Sequence, residues 1–92
     1  MIDVGTKLVF ENERVKVWEF NLEPGHQIEA HPHERDYFFY VIAGGTLEVT
    51  RESGVTQATL EPGKVYYRKA GDTHAAKNIS TTRYHEVLVE LK

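Results

Sequence analysis

His31-Pro32-His33, joined further along the chain by His74, is the set of residues with the most evident chemical potential. In extended backbone, residues i and i+2 share a face, so His31 and His33 can aim both imidazoles at one point. Histidine is the commonest metal ligand, and such a pair reads as half of a metal site or as two solvated loop histidines. Pro32 lacks a backbone donor, which predicts that the pair sits at a strand start, an edge or a bulge. His74 follows the turn Ala70-Gly71-Asp72-Thr73, from which a returning strand would carry a third imidazole to the same place. The chain has no cysteine. A disulfide, a thiolate nucleophile and a sulfur metal site are therefore excluded, and any metal falls to His, carboxylate or Tyr.

The elements that must hold these groups are short strands. Turn signals recur at Pro24-Gly25, Gly44-Gly45, Ser53-Gly54, Pro62-Gly63, Ala70-Gly71-Asp72 and the polar stretch 78–82. Between them lie segments rich in β-branched and aromatic residues, at 15–22, 37–43, 46–50, 55–60, 64–68 and 84–91. Leu47 and Val49 alternate with Thr46, Glu48 and Thr50, and Val87, Val89 and Leu91 alternate with Glu86 and Glu90. The valine face of the last segment, which also carries His85, is the one expected inward. A hairpin is expected from 46–50 and 55–60, turning through Arg51-Glu52-Ser53-Gly54. No helical stripe is present in any window of about 11 residues. Short, evenly spaced strands predict an all-β sandwich or barrel.

A length of 92 residues suits a single domain over 1–92. A chain this short buries only about two-thirds of its unfolded surface, so self-association is a natural source of further stability. Phe38 and Tyr40 cannot point inward together with Phe39 and Val41, and a homodimer packed through that sheet is expected. Eleven Lys and Arg against 14 Asp and Glu give a net charge of −3. That balance lacks the basic footprint of a nucleic-acid binder, so no nucleic-acid partner is expected. No apolar run approaches the roughly 20 residues of a membrane span. The N-terminal segment from Met1 to Lys7 also lacks the charged-then-apolar pattern of a signal peptide, so a cytoplasmic protein with no membrane partner is expected. The chain has neither a GxSxG nucleophile turn nor a phosphate-cradling glycine loop.

Two longer patterns carry a family resemblance. Gly25, five residues, His31-x-His33, three residues, Tyr37, six residues and Gly44 resembles the first cupin motif. Gly63, five residues, Lys69-x-Gly71, two residues, His74, three residues and Asn78 resembles the second. Tyr37 stands where the motif usually has glutamate, and Lys69 where it usually has proline. More narrowly, His31, His33, Asp36 and Tyr37, with Tyr66, Arg68, Lys69, Ala70, Gly71 and His74 downstream, resemble very short single-domain cupins, some of them associated with β-alanine degradation. The resemblance implies a small jelly-roll barrel, the double-stranded β-helix, with one divalent metal held near its wide mouth by His31, His33 and His74. Ligand type suits Fe, Zn, Ni or Mn and does not choose among them.

With no carboxylate at position 37, three neutral imidazoles would leave a divalent ion its full charge, which favours anionic, bidentate ligands. Tyr37 has three readings: a phenolate ligand, a hydrogen-bond donor to bound water or substrate, or an apolar filler with its hydroxyl at the rim. The donor role is preferred. Glu29, two residues before His31, is the spare carboxylate on the same face, with a solvated loop glutamate as the plain alternative. Glu34 and Asp36 are not expected as ligands. His26 follows a turn and is expected in solvent, and Asn78 is read as a turn residue. Arg68 is a carboxylate anchor or an exposed arginine, Phe39 a wall that excludes water, and His85 a further pocket residue.

The function expected from these residues is that of a metal-dependent enzyme resembling the dioxygenases among three-histidine cupins, acting on a small metal-chelating metabolite. Two alternatives stand beside it: a non-catalytic module for a small molecule or metal, and a Lewis-acid isomerase, lyase or hydrolase.

Overall fold

The computed structural model describes residues 4–92. The first three residues of the N-terminal segment, and of the expected domain, lie outside the described residues. Nine strands form: β1 (Lys7–Glu11), β2 (Val15–Leu22), β3 (Gln27–Pro32), β4 (Tyr37–Ala43), β5 (Gly45–Arg51), β6 (Gly54–Leu60), β7 (Val65–Arg68), β8 (Thr73–Asn78) and β9 (Tyr84–Leu91). Each segment expected as a strand is one. Lys7–Glu11 is exposed along its whole length and so lacks the alternation that marks a half-buried strand.

The strands pair antiparallel in two sheets, ordered β1-β2-β9-β4-β7 and β3-β8-β5-β6. Their inner faces close on one apolar cluster, to which β2 contributes Trp18, Phe20 and Leu22, β4 contributes Tyr37, Phe39 and Val41, and β5 contributes Leu47. In β4 the alternation is as expected: Tyr37, Phe39 and Val41 are buried, while Tyr40 and Ile42 are exposed.

β9 is the reverse of its expected orientation. Tyr84, Glu86, Leu88 and Glu90 are buried, and His85, Val87 and Val89 lie on the other, half-buried face. The pairing explains this, because Leu88 stands opposite Trp18 of β2 and Phe39 of β4, both inward. The two carboxyls are tolerated inside because each has a donor: Trp18 Nε1 donates to Glu90 Oε1 at 2.7 Å, and the Tyr84 hydroxyl donates to Glu86 Oε1 at 2.6 Å.

The β5–β6 hairpin is tighter than expected. Arg51 pairs with Gly54, so the loop is Glu52-Ser53 alone, and Gly54 supplies a φ of 139°. Gly44 is needed for a different reason, since a Cβ there would lie 2.5 Å from the Leu60 carbonyl oxygen. Asn78, expected in a turn, is instead the last residue of β8, paired with Leu47, and is wholly buried. Its amide donates to the carbonyls of Leu22 and Thr82 at 2.8 and 2.9 Å, and its oxygen accepts from Ser80 N at 2.9 Å.

Candidate metal centre

β3 is an edge strand paired with β8, and this pairing puts His31 directly opposite His74, with a register shift between Ile28 and His31. The strand ends at Pro32, so the proline occupies an edge beside an irregularity, as its missing donor requires. His33 is the next residue. Its N–H donates to the Asp72 carbonyl at 2.7 Å, and its own carbonyl accepts from Gly71 N at 2.8 Å. Gly71 has a φ of 109°, so the chain that returns toward His74 turns at a residue without a Cβ.

These contacts gather three imidazoles. The ligand atoms of His31, His33 and His74 lie within 4.8 Å of one another, and no carboxylate among the described residues joins them. His33 Nε2 and His74 Nε2 are 3.2 Å apart. Two nitrogens each about 2.1 Å from a common ion, at angles of 90–110°, lie about 3.0–3.4 Å apart, so the spacing fits shared coordination. Two of the three outer nitrogens are already used: His31 Nδ1 donates to the Glu29 carbonyl at 2.9 Å, and His74 Nδ1 donates to Asp72 Oδ2 at 2.7 Å, while His33 Nδ1 is buried without a partner among the described residues. In the His31 and His74 rings Nε2 is left with the lone pair a metal needs. Burial pushes all three imidazoles below the usual histidine pKa, His33 to about 3, so they are neutral and ready to ligate.

Behind His74 stands an Arg51–Asp72 ion pair that no sequence motif marked. Arg51 forks onto Asp72, with Nε 2.9 Å from Oδ1 and Nη2 2.9 Å from Oδ2, and Asp72 in turn holds His74. The guanidinium keeps Asp72 well below the ordinary carboxylate range. Asp72 thus orients the His74 ring with its carboxylate and anchors the His33 backbone with its carbonyl. Its place two residues before a ligand, on the same face of an extended segment, is the signal that would have found it.

The cluster opens onto a cavity of about 100 Å³, walled also by Tyr37, Phe39, Arg51, Arg68, Leu88 and Glu86. Tyr37 is buried and stacks on the His33 ring with centroids 4.1 Å apart. Burial raises its phenol to about 12, which keeps it a neutral donor. Phe39 stacks between Tyr37 and Tyr66, at 6.3 and 5.3 Å. The Arg68 guanidinium lies over the rings of Phe39 and Tyr66 at 5.9 and 5.6 Å, donates to the Tyr67 carbonyl, and has no carboxylate partner among the described residues.

Other residues fall elsewhere. Glu29 is exposed and serves the cluster through its backbone carbonyl, not its carboxylate. Asp36 accepts from Ala70 N and from the Tyr67 hydroxyl, at 2.8 and 3.1 Å, and so staples two loops. Glu34 and His26 are exposed. His85 is not brought to the cavity: it lies on the outer face of β9, 3.5 Å from Glu19 Oε1, because the inward set of that strand is the even-numbered one. Glu86, which the sequence reading turned outward, occupies the cavity wall instead.

Two antiparallel β-sheets with three convergent histidines between them define a metal-site barrel of the cupin class. The Cupin domain family matches residues 18–89, and this chain belongs to that family. It is 36% identical over 78 residues to the β-alanine degradation protein BauB of Pseudomonas aeruginosa, covering 85% of this chain and 79% of that one. The crystal structure of a cupin domain from Bordetella pertussis superposes with a TM-score of 0.89 at 32% identity, over 94% of this chain and 90% of that one. The polyketide cyclase RemF of Streptomyces resistomycificus shares the fold, with a TM-score of 0.69 at 19% identity, over 87% of this chain and 56% of its own. The double-stranded β-helix implied by the two sequence motifs is therefore the fold of this protein.

Proposed function

We propose that this protein is a metal-dependent enzyme of the dioxygenase type, acting on a small metabolite that chelates the ion through two donor atoms. The observation that carries the reading is the convergence of three neutral imidazole nitrogens, with two of them 3.2 Å apart, on one cavity. His31, His33 and His74 hold one divalent ion, of which Fe, Zn, Ni and Mn all suit the donor set. When bound, a metal held by three imidazoles supplies Lewis acidity at full charge and, if it is iron, a site for dioxygen chemistry. Tyr37 donates a hydrogen bond to the developing anion. Arg68, exposed and lying over two rings at the cavity, takes an anionic group of the ligand bidentately. Phe39 and Leu88 keep water out. The Pseudomonas relative's name, which places it in β-alanine degradation, supports a small-metabolite ligand.

The test is elemental analysis of protein purified without nickel resin, beside a His31→Ala, His74→Ala double variant. The wild type is expected to carry near one equivalent of metal and the variant almost none. Iron-loaded protein is then supplied with small bidentate chelators, namely 2-oxo acids, 2-hydroxy acids and 1,3-dicarbonyls, in an oxygen electrode. Uptake that disappears in the double variant supports the dioxygenase. Chelator binding with no uptake from any of them overturns it in favour of non-oxidative chemistry.

We also propose a cytoplasmic homodimer packed through the outer face of β4 and β7. Phe38 pairs with Tyr67 and Tyr40 with Val65 across those strands, and Tyr40, Ile42, Val65 and Tyr67 are all exposed. Sedimentation at micromolar concentration reads it directly: a dimer that Tyr40→Lys dissociates supports it, and a wild-type monomer overturns it.

A further inference from the structure

Glu86 is the one wall residue of the cavity whose chemistry the metal reading does not use. It sits between Phe20 of β2 and Val41 of β4, and it is only 4% exposed. One oxygen, Oε1, accepts from the Tyr84 hydroxyl at 2.6 Å, and Tyr84 is itself fully buried. The other, Oε2, has no hydrogen-bond partner among the described residues, and no cation there pairs with the group. Burial with no opposing positive charge raises this carboxyl to about 7.

Such a group is costly to keep, and an apolar side chain would complete the wall that Phe39, Leu47 and Leu88 form. Glu90, the neighbouring inward carboxyl, is likewise answered at one oxygen, by Trp18, but it does not line the cavity. The register places Glu86 deeper as well: Tyr37 pairs with Glu90, and Val41, two inward rows further on, pairs with Glu86. Glu86, Tyr37 and the three histidines nevertheless line the same small cavity.

We propose that Glu86 is a ligand-recognition residue at the deep end of the cavity, where its free oxygen accepts a hydrogen bond from a hydroxyl or amine of the molecule whose other end meets the three histidines. The inference rests on the reading of a small chelating ligand at the metal and narrows its class. The ligand has an anionic head for the metal and Arg68 and a hydrogen-bond donor at its far end. It is short, because even a cavity of about 150 Å³ holds a molecule no larger than benzene.

The experiment is calorimetric titration of zinc-loaded protein with unbranched carboxylates of three to five carbons, each as the unsubstituted acid, the ω-hydroxy acid and the ω-amino acid. At least one substituted acid is expected to bind about tenfold or more tightly than its parent, as a hydrogen bond to a buried charged group allows. In Glu86→Leu that ratio falls to near one, while zinc loading and affinity for the parent acid are retained. Glu86→Gln keeps the hydroxy preference and loses the amino preference, and it carries the test if the leucine variant does not fold. Wild type that loads zinc but shows no preference, or binds none of the acids, overturns the proposal and leaves the metal reading standing. Wild type that takes up no zinc overturns both.

Discussion

Asp72 stands behind the histidines on the four-stranded side of the cavity, and Glu86 stands in the wall made by the five-stranded sheet; their surroundings drive these two carboxyls in opposite directions. Asp72 is gripped by the Arg51 guanidinium and donated to by His74, and it stays ionised far into acid. Glu86 has a phenol and no cation, and burial holds it near neutrality. A carboxylate that orients a metal ligand must keep its charge, so it is paired and left partly in solvent. One that waits for a ligand's donor can be buried and half-satisfied, because the missing partner arrives with the ligand.

The contrast predicts opposite pH responses in the metal-free protein. The Glu86 carboxyl rises from 4.5 to about 7 on folding, so the folded state binds the extra proton and stability is lost as pH climbs through that window. Glu86→Gln has no such proton to lose. Relative to wild type it is expected to gain about 3 kcal/mol between pH 4.5 and pH 8, read from urea midpoints. A gain that does not change with pH would remove the distinction between the two carboxyls.

Removing the other member acts on the metal. Asp72→Ala frees the His74 ring and is expected to weaken zinc binding about 10- to 100-fold in competition with a chromophoric chelator. Arg51→Gln, which leaves Asp72 in place, is expected to cost less. Equal metal affinity in wild type and Asp72→Ala would show that backbone pairing alone holds the ligands.

The histidines give the reverse pH sign to Glu86. His33 falls from 6.5 to about 3 on folding, so the unfolded state binds the extra proton and stability is lost as pH drops below 6.5. His33→Leu is expected to flatten this decline by about 2 kcal/mol between pH 6.5 and pH 5 in metal-free protein. The smallest effect belongs to Tyr84→Phe, which leaves Glu86 Oε1 without its donor. A loss of about 1 kcal/mol with unchanged zinc affinity is expected, and a change in zinc affinity would tie Glu86 to the metal after all.

Much of this was open to reading from residue order. The β-branched and aromatic segments mark six strands because alternation and turn residues are local signals, and the HxH pair marks two members of the histidine cluster because their spacing is set by strand geometry. Tyr37, Phe39 and Arg68 line the cavity, and Arg68 is exposed there. The orientation of β9 was less accessible. Its two faces, Tyr84-Glu86-Leu88-Glu90 and His85-Val87-Val89, both alternate, and the more apolar one points outward. Hydropathy alone chooses the valine face.

Residue order settles which segments are strands and which side chains can share a face, since both follow from a backbone that repeats every two residues. It does not settle which face is inside, nor which distant group answers a buried charge. Those depend on neighbours far along the chain: Leu88 is drawn in by Trp18 and Phe39, Glu90 is answered by Trp18, and Asp72 is gripped by Arg51 across the sheet. Folding brings these partners together, and with them it decides that one carboxyl orients a histidine of the cluster while another lines the cavity with one oxygen answered.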